Sequence, residues 1–267
     1  MVCMSGRCEL ITSFFVTEKK GETMVGNSNN FANREIANCV FVDYKTKQPI
    51  LYCDYANTLT KELTGESVFA YGGQGHPRRI SFSGERGGTI TIETQIQSFK
   101  LWQIMTGGDA SKTAKYIKRE VLTAEAGALT LSMTPATDAV VNVFAADDDC
   151  GTPLEVQTSG TTVTLPESSE GDFIAYYIYE IQEKVQRLNI KGSSMPKNFI
   201  LYGDTVMKSE NDELLPYRFI AYKCACQPNM SISCANTGDP ATITLTADLL
   251  ADSDGNMLDM ILEEDKE

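Results

Sequence analysis

The 267-residue chain has one histidine and one tryptophan, no Lys/Arg-rich block and no long apolar run. Each scarcity closes off a class of function. With His76 alone, any imidazole mechanism must use a ring seated between Gly75 and Pro77, where a triad base has no ordered place. No run approaches the ~20 apolar residues of a membrane helix. The short patch from Leu10 to Val16 is broken by Thr12 and Ser13 and preceded by Glu9, a poor secretory signal. The expectation is a protein made and kept in a cytoplasm until it assembles, with no membrane partner. The net charge of −13 and pI near 4.6 repel phosphate backbones, so tight nucleic-acid binding is not expected.

Reactive motifs are scarce too. Gly72-Gly73-Gln74-Gly75 lacks the G-K-[ST] ending of a phosphate loop, and no dinucleotide fingerprint, nucleophile elbow or zincin motif occurs. Asp147-Asp148-Asp149 lacks calcium-loop spacing, and Asp252-Ser253-Asp254-Gly255 holds only a fragment of it; both read as solvated turns. Glu62 with Glu66, and Asp212 with Glu213, are carboxylate neighbours, but spacing alone sets no pair across a cleft. The eight cysteines are Cys3, Cys8, Cys39, Cys53, Cys150, Cys224, Cys226 and Cys234. In a long chain without an export signal they read as reduced thiols. Cys224-Ala-Cys226 with Cys234 lacks the second spaced pair or histidine of a zinc site. The reading is therefore no catalytic residue, no cofactor, no metal and no enzyme.

What the chain does have is alternation. Ile80 and Phe82, then Ile90, Ile92 and Ile96, alternate with polar residues around Gly84-Glu85-Arg86-Gly87-Gly88, so two strands joined by a bend or hairpin at the glycines are predicted. At Ser98 the period changes. Leu101, Trp102, Ile104 and Met105 take helical spacing, with Ser98 as cap and Gly107-Gly108 as stop. Val40–Tyr44 and Ile50–Tyr55 read as a hairpin. Ala56–Arg79 reads as a long excursion in which a short strand at Ser67–Tyr71 leads into Gly72–Pro77, and Lys112–Arg119 as a solvated basic connector. Short strands follow at Leu129–Met133, Val140–Phe144, Leu154–Val156, Thr162–Leu165 and Phe173–Tyr179, in the manner of a small immunoglobulin-like sandwich. Longer strands return at Phe199–Tyr202, Tyr217–Cys226, Met230–Ser233 and Ala241–Ala251.

Taken in order, certain stretches resemble the tail tube proteins of tailed bacteriophages. They are Gly84–Gly88 with the strand and helix after it, Ser194-Met195-Pro196-Lys197-Asn198-Phe199 leading to Gly203-Asp204-Thr205, Gln227-Pro228-Asn229, Gly238-Asp239-Pro240 before a long strand, and Gly255-Asn256-Met257-Leu258. The insert ending in Ile174–Glu180 looks like the one such proteins carry. The resemblance spans about residues 35–267. It implies a mainly β fold: a tail-tube-type β-sandwich or barrel with one flanking α-helix, plus an inserted immunoglobulin-like β-sandwich. The divisions are an N-terminal arm (1–34), a discontinuous tube domain (35–118 and 185–267) and the insert (119–184).

The resemblance also implies a virion tail protein made in the host bacterial cytoplasm. Such subunits form hexameric rings whose sheets join around a channel, and the rings stack into a tube. Tape-measure protein and then DNA pass through without specific binding. Terminator and baseplate proteins, and in some tails a sheath, would be further partners. The segment around Asn57–Arg79 would reach the neighbouring ring, with Tyr71, His76, Arg78 and Arg79 as contact residues. Thr89, Thr91, Glu93, Thr242, Thr244, Thr246 and Asp248 would face the lumen. Three rival readings stand beside it. One is a carbohydrate-binding or adhesin module using Tyr177 and Tyr179, another a carboxylate hydrolase, and the third the inner tube of a contractile injection particle.

Overall fold

The computed structural model describes residues 30–166 and 170–263. Most of the expected N-terminal arm (1–34) therefore lies outside the described residues, as do Cys3 and Cys8. The chain is mainly β, as expected. In order it forms β1 (Phe31–Ala32), β2 (Asn38–Asp43), β3 (Pro49–Cys53), β4 (Thr58–Tyr71), β5 (Arg78–Thr94), α1 (Phe99–Thr106), β6 (Asp109–Thr123), β7 (Ala128–Thr130) and β8 (Asn142–Ala145). It continues with β9 (Gln157–Ser159), β10 (Thr162–Thr164), β11 (Asp172–Asn189), β12 (Phe199–Ser209), β13 (Leu214–Cys226), β14 (Ile243–Leu249) and β15 (Leu258–Leu262).

The large sheet runs β3-β2-β12-β13-β14-β5-β4, with β1 on β12 and β15 on β13. Every pairing in it is antiparallel. β13 divides its partners: Tyr217–Ala221 pair with β15, and Cys224–Cys226 with β14. One long strand thus serves two neighbours, and inward side chains of both stretches share one core. Phe41, Ile90, Ile92, Phe199, Leu201, Phe219, Ile243 and Leu245 fill it, every one almost wholly removed from water. Period-two alternation places them on the same side, β-branched and aromatic residues suiting a half-buried pleat.

Helix α1 closes this core with Leu101, Ile104 and Met105. Its ends are as the sequence predicts. The Ser98 hydroxyl accepts from the Leu101 N–H at 3.1 Å. Gly107 is left-handed, with φ 67°, and its N–H returns to the Gln103 carbonyl. A Cβ there would also lie 2.0 Å from the Met195 carbonyl oxygen, so the position requires glycine twice over.

A second, smaller core lies between the sheets β7-β10-β9 and β6-β11-β8. Leu129, Leu131, Val143, Val163, Phe173, Ala175 and Tyr177 fill it. The expected junctions at 118/119 and 184/185 fall within β6 and β11. The register of that ribbon shifts between Gln182 and Arg187.

Several expectations need correction. Gly84–Gly88 is not a turn: β5 runs through it without a break, paired with β4. Glycine is there because the strands approach closely, a Cβ at Gly88 lying 2.6 Å from the Glu62 carbonyl oxygen. The turn is Gly72–Pro77, so the supposed excursion of residues 56–79 is half of a long hairpin. The basic connector is strand β6. Leu154–Val156 and Met230–Ser233 form no strand, and β9 begins just after the former.

Candidate assembly surfaces

The polar side of β4, β5 and β14 is built by register. Thr58, Glu93 and Thr244 stand in one cross-strand row, then Thr60, Thr91 and Thr246, then Glu62, Thr89 and Asp248. Alternation sends Ile90, Ile92, Ile243, Leu245 and Ala247 to the core and leaves these nine on the other face. Six of the seven predicted lumen residues thus come together. Thr242 precedes β14, is exposed and joins no row. Sequence reading missed Thr58, Thr60 and Glu62, because the strand carrying them was read as an excursion, although Thr58-Leu59-Thr60 already alternates. The face is knitted laterally. Thr58 Oγ1 donates to Glu93 Oε2 at 2.8 Å, and Gln227 Nε2 donates to Asp248 Oδ1 at 2.8 Å. It holds three carboxylates and no cation, so it repels polyanions while offering hydroxyls to water.

The other predicted surface is the end of the β4–β5 hairpin. Tyr71, His76, Arg78 and Arg79 are brought together there, all exposed. Much of their chemistry is spent on the turn itself. The Gly72 N–H donates to the Pro77 carbonyl, the His76 N–H to the Gly73 carbonyl, and Arg79 Nε to the Gly72 carbonyl at 2.9 Å. The Arg78 guanidinium sits 4.3 Å from the Phe69 ring centroid. His76 takes a positive φ of 48°.

The sequence missed the shaft behind this tip. β14 pairs with β5 only along Thr89–Thr94, so among the described residues no further strand lies beside the outer half of the hairpin. There Val68 faces Phe82 and Ala70 faces Ile80 across the pair. Val68, Ile80 and Phe82 are 62%, 56% and 56% exposed. The opposite side carries Ser67 with Ser83 and Phe69 with Ser81. The outer hairpin is amphipathic, and among the described residues nothing covers its apolar side. At its root lies a notch of about 500 Å³ lined by Leu63, Thr64, Gly65, Arg86, Gly87, Gly255, Met257 and Leu258.

Groups that sequence reading weighed for other chemistry sit elsewhere. Tyr177 is buried, donating its hydroxyl to Glu120 Oε1 at 2.8 Å and accepting from the Met133 N–H. It offers no ring to a sugar, which removes half of the proposed platform; Tyr179 is half-buried. Burial pushes the thiols of Cys39 and Cys224 up to about 12 and that of Cys226 up to about 11, far from reactive thiolates. Among the described residues no group of three His, Cys, Asp or Glu is placed to hold a metal ion, and no helix is long and apolar enough to cross a membrane.

Residues 33–261 match the YomU/Tube protein family, which is most of the chain. The chain belongs to that family. The tail tube likeness read from the motifs is thereby shown. A comparison with curated proteins gave no match. The matched span takes in the large sheet except β1 and the last residue of β15, together with α1 and the smaller two-sheet unit. Both surfaces of this tube protein, the polar rows and the hairpin, therefore belong to the matched region.

Proposed function

We propose that this phage tail tube protein is a structural subunit that closes into six-membered rings, and that the rings stack into the conduit for genome delivery. The observation that carries the reading is the polar grid on β4, β5 and β14, backed by the outer margin of β4, which no strand among the described residues covers. A lone subunit with a strand edge of this length invites uncontrolled pairing. Identical neighbours arranged in a ring satisfy every such edge at once. Copies of the grid brought side by side would line the channel with hydroxyls and carboxylates, a surface along which DNA slides without sticking. The likeness of family supports a structural and non-enzymatic role in the virion tail. On this reading the smaller two-sheet unit is an immunoglobulin-like decoration on the outside, and tape-measure, terminator and baseplate proteins are the other partners.

Electron microscopy and sedimentation of the purified full chain at rising concentration test this. Rings and hollow tubes are expected. Material that sediments only as single chains at every concentration, with β4 protected from hydrogen exchange along its free edge, would sink the reading.

A further inference from the structure

We infer that the side of β2, β12 and β13 turned away from the core is a docking face for the chain's own segment Leu10–Val16, which seats Phe14 in a groove between Tyr52, Tyr202 and Ile261. The contact is made within one chain, so it needs neither ring nor tube. The segment precedes residue 33, where the family match begins, so the device belongs to this chain rather than to the matched region.

The face is fixed by alternation. On β12, Tyr202, Asp204, Val206 and Lys208 point outward, because Leu201, Gly203, Thr205 and Ser209 turn to the core. Across on β13 they meet Ile220, Arg218, Pro216 and Leu214 in that order. The charged members are engaged with one another or with nearby side chains. Arg218 Nε lies 3.6 Å from Asp204 Oδ1, and the same guanidinium pairs with Glu263. Lys208 pairs with Asp212 at 2.5 Å, and beside Ile220 the Tyr222 hydroxyl donates to Asp259 at 2.6 Å. What is left is an apolar track of Leu214, Val206, Pro216, Tyr202 and Ile220. Its far end opens into a groove of about 250 Å³ whose apolar lining is Val40, Tyr52, Tyr202, Ile220 and Ile261. Tyr52, Tyr202, Val206, Leu214 and Ile261 are all exposed, a contiguous patch that calls for a cover.

The occupant follows from where the chain enters. The Asn30 side chain donates to Glu210 Oε1 at 3.0 Å, its carbonyl accepts from the Glu210 N–H, and β1 pairs with Lys208 and Ser209. The chain therefore reaches the described residues at the near end of this track. From Ser209 to Tyr202 the track runs about 24 Å at strand spacing, and Thr17–Asn29 can stretch to about 43 Å, so Leu10–Val16 can reach every part of it. Five of its seven residues are apolar, and Leu10, Phe14 and Val16 share one side in extended form. Gly26-Asn27 in the connecting stretch supplies residues suited to a reversal. So short a tether holds the segment at millimolar effective concentration, which favours its own face over another copy's.

The test uses the full chain with a photoreactive benzophenone amino acid at position 14, mixed from equal amounts of isotopically heavy and light protein and irradiated at a concentration where single chains sediment. Cross-links are expected within one isotope, from position 14 to peptides holding Tyr52, Tyr202, Ile220 or Ile261. Mixed heavy–light products, attachment to other segments, or no cross-link would each overturn the proposal. Tyr202→Asp is expected to melt within a few degrees of wild type, because the side chain is exposed, and to lower the yield of those cross-links about tenfold, as for loss of an aromatic anchor. An unchanged yield overturns it as well. Tube formation has no part in these readouts, so a failure here leaves the tube reading standing, and a failure of that reading leaves this contact to be judged on its own.

Discussion

Glu120 shows how much a single side chain can settle in this protein. It stands on β6 and ties that strand to the smaller core's far side. The Ser132 N–H donates to Glu120 Oε1 at 3.0 Å and the Ser132 hydroxyl to Oε2 at 2.6 Å, with Tyr177 donating as well and Lys118 Nζ 3.3 Å away. Burial pushes the carboxyl's pKa up, but these donors outweigh it and hold the group below its ordinary 4.5. A depressed carboxylate adds stability above its unfolded pKa and loses it as pH falls through the folded one. Glu120→Gln should therefore melt below wild type at pH 7, by about 1–2 kcal/mol, at the low end because solvent screens part of the site. The gap should narrow as pH drops below about 4.5, the ordinary value. Calorimetry at a series of pH values reads this directly, and a gap independent of pH would refute it. Gly107→Ala is the backbone counterpart. Left-handed φ and the Met195 carbonyl both oppose a Cβ, so a loss of about 2 kcal/mol or more is expected by denaturant titration.

At the scale of elements, α1 was legible and the β4–β5 hairpin was not. The helix carries its own punctuation, Ser98 before the apolar spacing and Gly107 after it, so local chemistry sufficed. Gly84–Gly88 has the composition of a turn, but its glycines serve close strand approach, and only pairing with β4 reveals that. Local composition cannot separate a glycine needed for φ from one needed for space. The same element yields a stability prediction. Among the described residues no strand neighbours the outer hairpin, so replacing Ser67–Gly84 by a two-residue Asn-Gly turn should leave the melting temperature within a few degrees of wild type. Scanning calorimetry checks it. A large fall would show that the outer half supports the body, against its exposure here.

For the whole molecule the decisive quantity is the sign of charge on one face. Glu62, Glu93 and Asp248 share the polar grid, and a ring would repeat them around its bore. Glu93→Lys with Asp248→Lys places cations among the threonine rows. Both side chains are outside the core, so folding should survive. Assembled tubes should then retain DNA fragments at low salt and release them as salt rises, the dependence expected for phosphate contacts. Wild-type tubes should retain none at either salt. Equal retention by the two, read by co-sedimentation, would take the grid out of the channel.

The sequence by itself determined the β class, the capped helix, the alternation that sorts Ile90 and Ile92 from Thr89, Thr91 and Glu93, and the poverty of reactive groups. These depend on residues a few positions apart, where periodicity and capping act. The tertiary structure alone decided which polar rows lie side by side and that Tyr177 is enclosed. It alone showed that β13 is shared by two neighbours and that no described residue covers the apolar side of the hairpin. Those are matters of register between segments far apart in the chain, and register is fixed by the packing of the whole sheet.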